Sequence, residues 1–144
     1  MNPIEFRHVG LVVKDLELMK EFYISLGFSP YIELNEKGKF IENVIGLKDV
    51  KITTIKFKIS DVPVLELIKY NQPPLIETAD QTIPNKLGWS HLALTIKNFD
   101  EFQSNLENYG GSIDRVPMVS DCGKFKVIYC SDPEGNILEI VEKI

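Results

Sequence analysis

Two histidines and two glutamates, placed at matching points of a repeated pattern, are the residues of this chain best suited to chemistry. His8 opens the segment His8-Val9-Gly10-Leu11-Val12-Val13-Lys14-Asp15, and His91 opens His91-Leu92-Ala93-Leu94-Thr95-Ile96-Lys97-Asn98. The 144 residues hold no other histidine. Glu66 lies within Leu65-Glu66-Leu67-Ile68, and Glu139 within Leu138-Glu139-Ile140-Val141. Neutral imidazole nitrogens and carboxylate oxygens together form a mixed donor set suited to one divalent ion, with Zn, Ni, Co, Mn and Fe all compatible. Such a site also accounts for charge inside apolar strands, where a carboxylate otherwise loses hydration with nothing to replace it. Taken singly, a histidine in an apolar strand is more often a hydrogen-bonded structural residue, and a strand glutamate more often faces solvent. Four of them at equivalent points of a duplicated unit shift the balance toward a shared site.

The duplication is what positions them. The offset that carries His8 onto His91 also carries Leu11 onto Leu94, Lys14 onto Lys97 and Gly27 onto Gly110 without a gap. Residues 6–13 alternate as a strand does, with Val9, Leu11 and Val13 on one face and His8, Gly10 and Val12 on the other. Asp15 stands as an N-cap, Leu16, Met19, Phe22, Tyr23 and Leu26 recur at helical spacing, and Gly27 ends the helix. A second strand is expected over Phe28–Leu34, a polar turn or loop over Asn35–Lys39, a third strand over Lys51–Ile59 and a fourth over Val64–Ile68. Phe40–Val50 has no clear pattern.

The second copy has a strand at Trp89–Ile96 and a helix at Asp100–Tyr109 with Phe102 and Leu106 inward. Strands follow at Ile113–Met118, Phe125–Cys130 and Ile137–Val141, the last two joined by the turn Ser131-Asp132-Pro133-Glu134-Gly135-Asn136. Each half therefore reads strand, helix, strand, strand, strand. Module one spans 4–70, a linker with Pro73, Pro74 and Pro84 spans 71–87, and module two spans 88–144. The glutamates are about ten residues closer together than the histidines, so module one carries extra chain, assigned to Asn35–Asp49. Alternation then sorts the faces. Leu65 and Leu67, like Leu138 and Ile140, belong against the helix, so Glu66 and Glu139 face away from it, as do His8 and His91.

The net charge of −5 and pI near 5.1 argue against a nucleic-acid or anionic-membrane partner, which clustered Lys and Arg would meet. No run approaches the roughly 18 apolar residues of a membrane span, and the N-terminal residues lack a signal pattern, so a cytoplasmic protein is expected. Cys122 and Cys130 are read as free thiols, at a spacing that matches no zinc motif.

Two stretches carry a family resemblance: His8-Val9-Gly10-Leu11-Val12-Val13-Lys14-Asp15-Leu16 through Phe22-Tyr23 and Leu26-Gly27-Phe28, and Asp132-Pro133-Glu134-Gly135-Asn136-Ile137-Leu138-Glu139-Ile140. The chain resembles the vicinal-oxygen-chelate superfamily of glyoxalases, bleomycin-resistance proteins and dioxygenases, nearest to its methylmalonyl-CoA epimerase-like and glyoxalase I-like members. The resemblance implies an α+β fold of two tandem βαβββ modules forming an incomplete mixed β-barrel cup with helices outside. It implies one divalent metal ion on His8, Glu66, His91 and Glu139, a small-molecule carbonyl substrate and a homodimer.

The activity implied is that of a lyase or isomerase moving a proton beside a metal-chelated carbonyl, with Glu139 or Glu66 as the base. Glu42 is a further but weaker candidate for that base. Leu67-Ile68-Lys69-Tyr70-Asn71 after Glu66 departs from the glyoxalase I pattern and counts against glutathione. The alternative is small-molecule binding of the bleomycin- or fosfomycin-resistance type, for which Phe40, Phe57, Trp89, Phe125 and Tyr129 are the candidate aromatics. An extradiol dioxygenase ranks third, because such enzymes commonly use an additional histidine that this chain lacks.

Overall fold

In the computed structural model, which describes residues 4–77 and 83–144, the chain divides into two units, Met1–Ile76 and Glu77–Ile144. Unit one contains β1 (Val9–Val12), α1 (Leu16–Ser25), β2 (Ser29–Lys37), α2 (Lys39–Ile45), β3 (Lys51–Ile59) and β4 (Val62–Gln72). Its sheet has the order β1-β4-β3-β2, with β1 parallel to β4 and the other pairs antiparallel. Asp15 sets the start of α1: its backbone is extended and its carboxylate accepts the Leu18 N–H at 3.0 Å, a cap that contributes about 1 kcal/mol. Met19, Phe22 and Tyr23 of α1 are fully buried, as are Ile55 and Phe57 of β3 and Leu67 of β4. Tyr23 meets Phe22 and Phe28 edge to face, at 5.3 and 5.1 Å between centroids.

The opposite face of this sheet carries Ile52, Thr54 and Lys56, directly across from Tyr70, Ile68 and Glu66. Ile41, Val50 and Ile52 form a buried cluster there, with Ile45, Ile68 and Tyr70 packed against it. So the extra residues of module one, with no clear pattern in the sequence, fold into a short helix that covers one end of the glutamate-bearing face. Gly46 ends α2 in the left-handed conformation, at φ 81°. The expected polar loop at Asn35–Lys39 is instead strand through Lys37. Across from Asn35, the Thr53 hydroxyl donates to Asn35 Oδ1 at 2.8 Å and accepts from Asn71 Nδ2 at 3.0 Å, a polar tie across three strands that apolar patterning does not register. β4 likewise runs through Gln72, so the first residues of the expected linker are strand; residues 78–82 of that linker lie outside the described residues. β3 turns into β4 at Ser60 and Asp61, both left-handed at φ 48° and 66°, and a bulge between Phe57 and Lys58 then shifts the pairing by one residue, which places Lys56 opposite Glu66.

Unit two contains β5 (His91–Ile96), α3 (Phe99–Asn108), β6 (Met118–Val119), β7 (Phe125–Ser131) and β8 (Ile137–Lys143), in the same order, β5-β8-β7-β6. Asn98 caps α3 by accepting the Glu101 N–H at 3.1 Å, and the Glu142 carboxylate of β8 accepts the Phe99 N–H at 3.0 Å. Phe99, Phe102 and Leu106 of α3 are buried, as are Leu138 and Ile140 of β8. The strand expected over Ile113–Met118 shrinks to Met118–Val119 plus a bridge between Ser112 and Ser131. Pro117 has no N–H for a ladder and Val116 is 78% exposed, so that stretch has neither the bonds nor the burial a strand needs. Trp89, expected in β5, precedes it and is 91% exposed.

The fold is therefore α+β, with tandem strand-helix-three-strand units and α2 added to the first. Each sheet is open and mixed, with the first and last strands of the unit parallel. Among the described residues no helix is long and apolar enough to cross a membrane.

The turn before β8 is built on Asp132, which is 3% exposed and accepts the N–H groups of Glu134 and Asn136 at 3.0 and 2.9 Å and the Asn136 side-chain amide at 2.8 Å. Asp132→Ala leaves those donors unmet and is expected to destabilise by about 2–3 kcal/mol, measured by urea unfolding. Both cysteines are free, Cys122 exposed and Cys130 buried. Burial, with the Asp132 carboxylate adding to it, pushes the Cys130 thiol up to about 12, whereas the hydrogen bond with Ser120 lowers that of Cys122. Iodoacetamide at pH 8 should therefore label one thiol in the folded protein and two in denaturant, as counted by mass spectrometry. The unfolded chain releases the Cys130 proton near its ordinary value of 9.0, so this thiol's contribution is complete below that pH and is lost as pH rises toward 12.

Candidate metal centre

In unit one, β1 pairs in parallel with β4 so that Gly10 stands beside Glu66. His8, just before the strand, shares the side of Gly10. Its Nε2 lies 2.8 Å from Glu66 Oε2, with the two side chains 21% and 13% exposed. Gly10 matters here because a Cβ at that position would approach Ile68 Cδ1 to 3.2 Å, on the same face as Glu66. The second Glu66 oxygen lies 3.6 Å from Lys56 Nζ. His8 Nδ1 is buried without a hydrogen-bond partner, as is the Thr54 hydroxyl.

Unit two repeats the arrangement with different support. Ala93 stands beside Glu139, and His91 Nε2 lies 2.8 Å from Glu139 Oε2, with the side chains 26% and 28% exposed. Opposite Glu139 on β7 is Tyr129, where unit one has Lys56 opposite Glu66. The Tyr129 hydroxyl lies 3.2 Å from His91 Nδ1, the Ser90 hydroxyl 3.1 Å from the same nitrogen, and the tyrosine and imidazole rings are 5.0 Å apart. The second ring nitrogen of His91 is thus held by two hydroxyls, which restricts the ring's rotation; that of His8 is held by none.

Each unit brings its own histidine and glutamate into contact, and among the described residues neither unit by itself gathers three or more His, Cys, Asp or Glu side chains. Lys56 is the contact the sequence reading missed. Its signal was the 73-residue offset that joins Glu66 to Glu139, which joins Lys56 to Tyr129 as well. Of the aromatics considered for ligand binding, Phe57 is a core residue on the helix-covered side, Phe40 and Trp89 are 77% and 91% exposed, and Tyr129 touches His91. Glu42, the weaker candidate for the base, lies on α2, where its carboxylate meets Lys39 Nζ at 2.9 Å. That carboxylate raises the Lys39 ammonium above its ordinary value through the hydrogen bond and its charge.

The family model described as Glyoxalase/Bleomycin resistance protein/Dioxygenase superfamily matches residues 5–140. The chain belongs to this superfamily. This superfamily member is 27% identical over 141 residues to YwkD of Bacillus subtilis, a protein described as uncharacterized, with 94% of each chain covered. A glyoxalase family protein from Bacillus cereus shares its fold at a TM-score of 0.90 and 21% identity, over 100% of this chain and 97% of that one. A point mutant of the fosfomycin resistance protein FosX from Listeria monocytogenes, in a complex with Mn(II) and 1S,2S-dihydroxypropylphosphonic acid, shares it at a TM-score of 0.63 and 15% identity, over 97% of this chain and 90% of that one.

The two supports of the site differ in strength, and stability measurements can separate them. Tyr129→Phe removes a hydrogen bond in a half-buried setting and is expected to cost about 0.5–1.5 kcal/mol. Lys56→Met leaves the Glu66 carboxylate, only 13% exposed, without its ammonium, and is expected to cost more, about 2–3 kcal/mol in urea unfolding.

Proposed function

We propose that this protein is a metal-dependent isomerase or lyase that moves a proton on the carbon beside a chelated carbonyl, with His8, Glu66, His91 and Glu139 as the donors to one divalent ion. The observation that carries this reading is the equal His–Glu pair in each unit, Nε2 to Oε2 at 2.8 Å, at corresponding points of the two sheets. A contact of that length between an imidazole and a carboxylate holds one proton, and a divalent ion suits the same two atoms once the proton has left. The hydroxyls of Ser90 and Tyr129 supply the outer hydrogen bonds that a ligating histidine usually makes, so unit two fits the group more fully than unit one.

When bound, the ion would polarise the substrate carbonyl and stabilise charge on its oxygen. Glu139 takes the proton from the neighbouring carbon and returns it, a transfer for which its second oxygen is free of the imidazole contact. Tyr129 and Ser90 keep His91 oriented throughout. The Lys56 ammonium next to Glu66 lowers the negative charge in unit one and favours Glu139 over Glu66 as the base.

Lys56 also favours a second reading, in which Glu66 stays with its ammonium and three donors, His8, His91 and Glu139, hold the ion, the pattern of fosfomycin-modifying relatives. Metal analysis separates the two. The purified protein is expected to carry about one divalent ion per chain, and His8→Ala or Glu139→Gln to remove it. Glu66→Gln removes it under the four-donor reading and retains it under the three-donor one. Activity is read as solvent deuterium entering an acyl-CoA or hemithioacetal, with Glu139→Gln slowing exchange by about 10²–10⁴. A protein that takes up no divalent ion and exchanges no proton with either substrate contradicts the proposal.

A further inference from the structure

Beside the unit-two pair lies a cavity of about 180 Å³ that includes Ser112, Asp114, Arg115, Tyr129, Ser131 and Ile137 in its lining. Three of the lining residues share one side of the sheet, and Cys130 joins the lining from its place between Tyr129 and Ser131. Ser131 is two residues from Tyr129 on β7, Ile137 is two from Glu139 on β8, and Ile137 stands beside His91 in the ladder. The cavity therefore opens on the face that bears His91 and Glu139, with Tyr129 as the shared wall. Its volume equals the room of about six liquid waters at roughly 30 Å³ each, enough for a small organic group and too little for a long carrier chain.

The wall chemistry is specific. Arg115 has neither an ion pair nor a hydrogen bond among the described residues, although the neighbouring side chain is the carboxylate of Asp114. An unpaired guanidinium presents a planar fork of donors that matches a carboxylate. Ser112 and Ser131 exchange both backbone hydrogen bonds, each at 2.9 Å, so their hydroxyls sit on a fixed frame at the cavity edge. Asp114 on the same wall repels a second negative charge and so favours a monoanion over a dianion.

We infer that this cavity is a subsite for the carboxylate end of a small monoanionic ligand, gripped by Arg115 with Ser112 and Ser131. The reaction at His91 and Glu139 would thus act on a carboxylate-bearing substrate whose carbonyl lies on the Tyr129 side. Only the naming of the ligand as substrate rests on the proposed metal centre; the binding of a carboxylate does not.

Butyrate and its uncharged isostere butanamide are the probes, titrated by NMR into the full chain with and without added Mn(II). Butyrate is expected to saturate at millimolar concentration and to shift the backbone amides of Ser112, Arg115 and Ser131, with butanamide causing no saturable shift. Arg115→Gln should weaken butyrate at least tenfold and Asp114→Asn should strengthen it a few-fold; both residues are exposed, so folding is not at stake. Equal binding of butyrate to the wild type and to Arg115→Gln, or equal binding of butanamide, overturns the inference. Butyrate binding that persists in Glu139→Gln, with no metal bound to the wild type, leaves the subsite standing and removes the proposed centre. Metal uptake without any Arg115-dependent butyrate binding does the reverse.

Discussion

The parallel pairing of the first and last strands in each unit is the constraint on which the rest depends. Parallel neighbours cannot be joined by a tight turn, so the chain must travel through a helix and the two intervening strands before it returns. That detour brings His8 beside Glu66 and His91 beside Glu139, residues 58 and 48 positions apart along the chain. It also decides which neighbours each glutamate has. One side is the small residue of the first strand, Gly10 or Ala93; the other is the residue on the preceding antiparallel strand, Lys56 or Tyr129.

The two units use the same frame for unequal chemistry. Around Glu139 the supporting groups are hydroxyls, which can orient an imidazole without adding charge. Around Glu66 the supporting group is an ammonium, which competes with any cation for the carboxylate. Duplicated backbones with diverged side chains are a direct way to assign different duties to two otherwise equivalent carboxylates, because one substitution on the adjacent strand changes the local charge while the ladder stays intact. The extra chain of unit one has a comparable effect. By folding into α2 and burying Ile41 in a cluster with Val50 and Ile52, it closes one end of the face that carries Glu66, and unit two has no counterpart among the described residues.

Much of this is legible in the sequence. Asp15 and Asn98 announce helix starts, the alternation of residues 6–13 and 137–141 separates a core face from a polar one, and the duplication shows that the two histidines and two glutamates are equivalent pairs. Where the reading failed, local pattern was weak. The strand expected over Phe28–Leu34 is present, but its continuation through Lys37 is exposed for most of its length and is held by its ladder and by Thr53, so it lacks the alternating burial that marks a strand. α2 is a seven-residue helix with a single buried side chain, too short to display a period. In Ile113–Met118 the exposure of Val116 and the missing N–H of Pro117 delay pairing until Met118, which faces Val127.

What the sequence determined by itself is the equivalence of the two histidine–glutamate pairs and the face on which each residue lies, because side-chain direction follows from a two-residue period that any strand obeys. Tertiary structure alone decided which oxygen meets which nitrogen, that Lys56 stands against one carboxylate and Tyr129 opposite the other, and that a cavity with an unpaired arginine lies next to the second pair. Those facts depend on strand register and on a loop returning to the sheet, and register is set by hairpin geometry and packing over the whole unit, not by any window of residues.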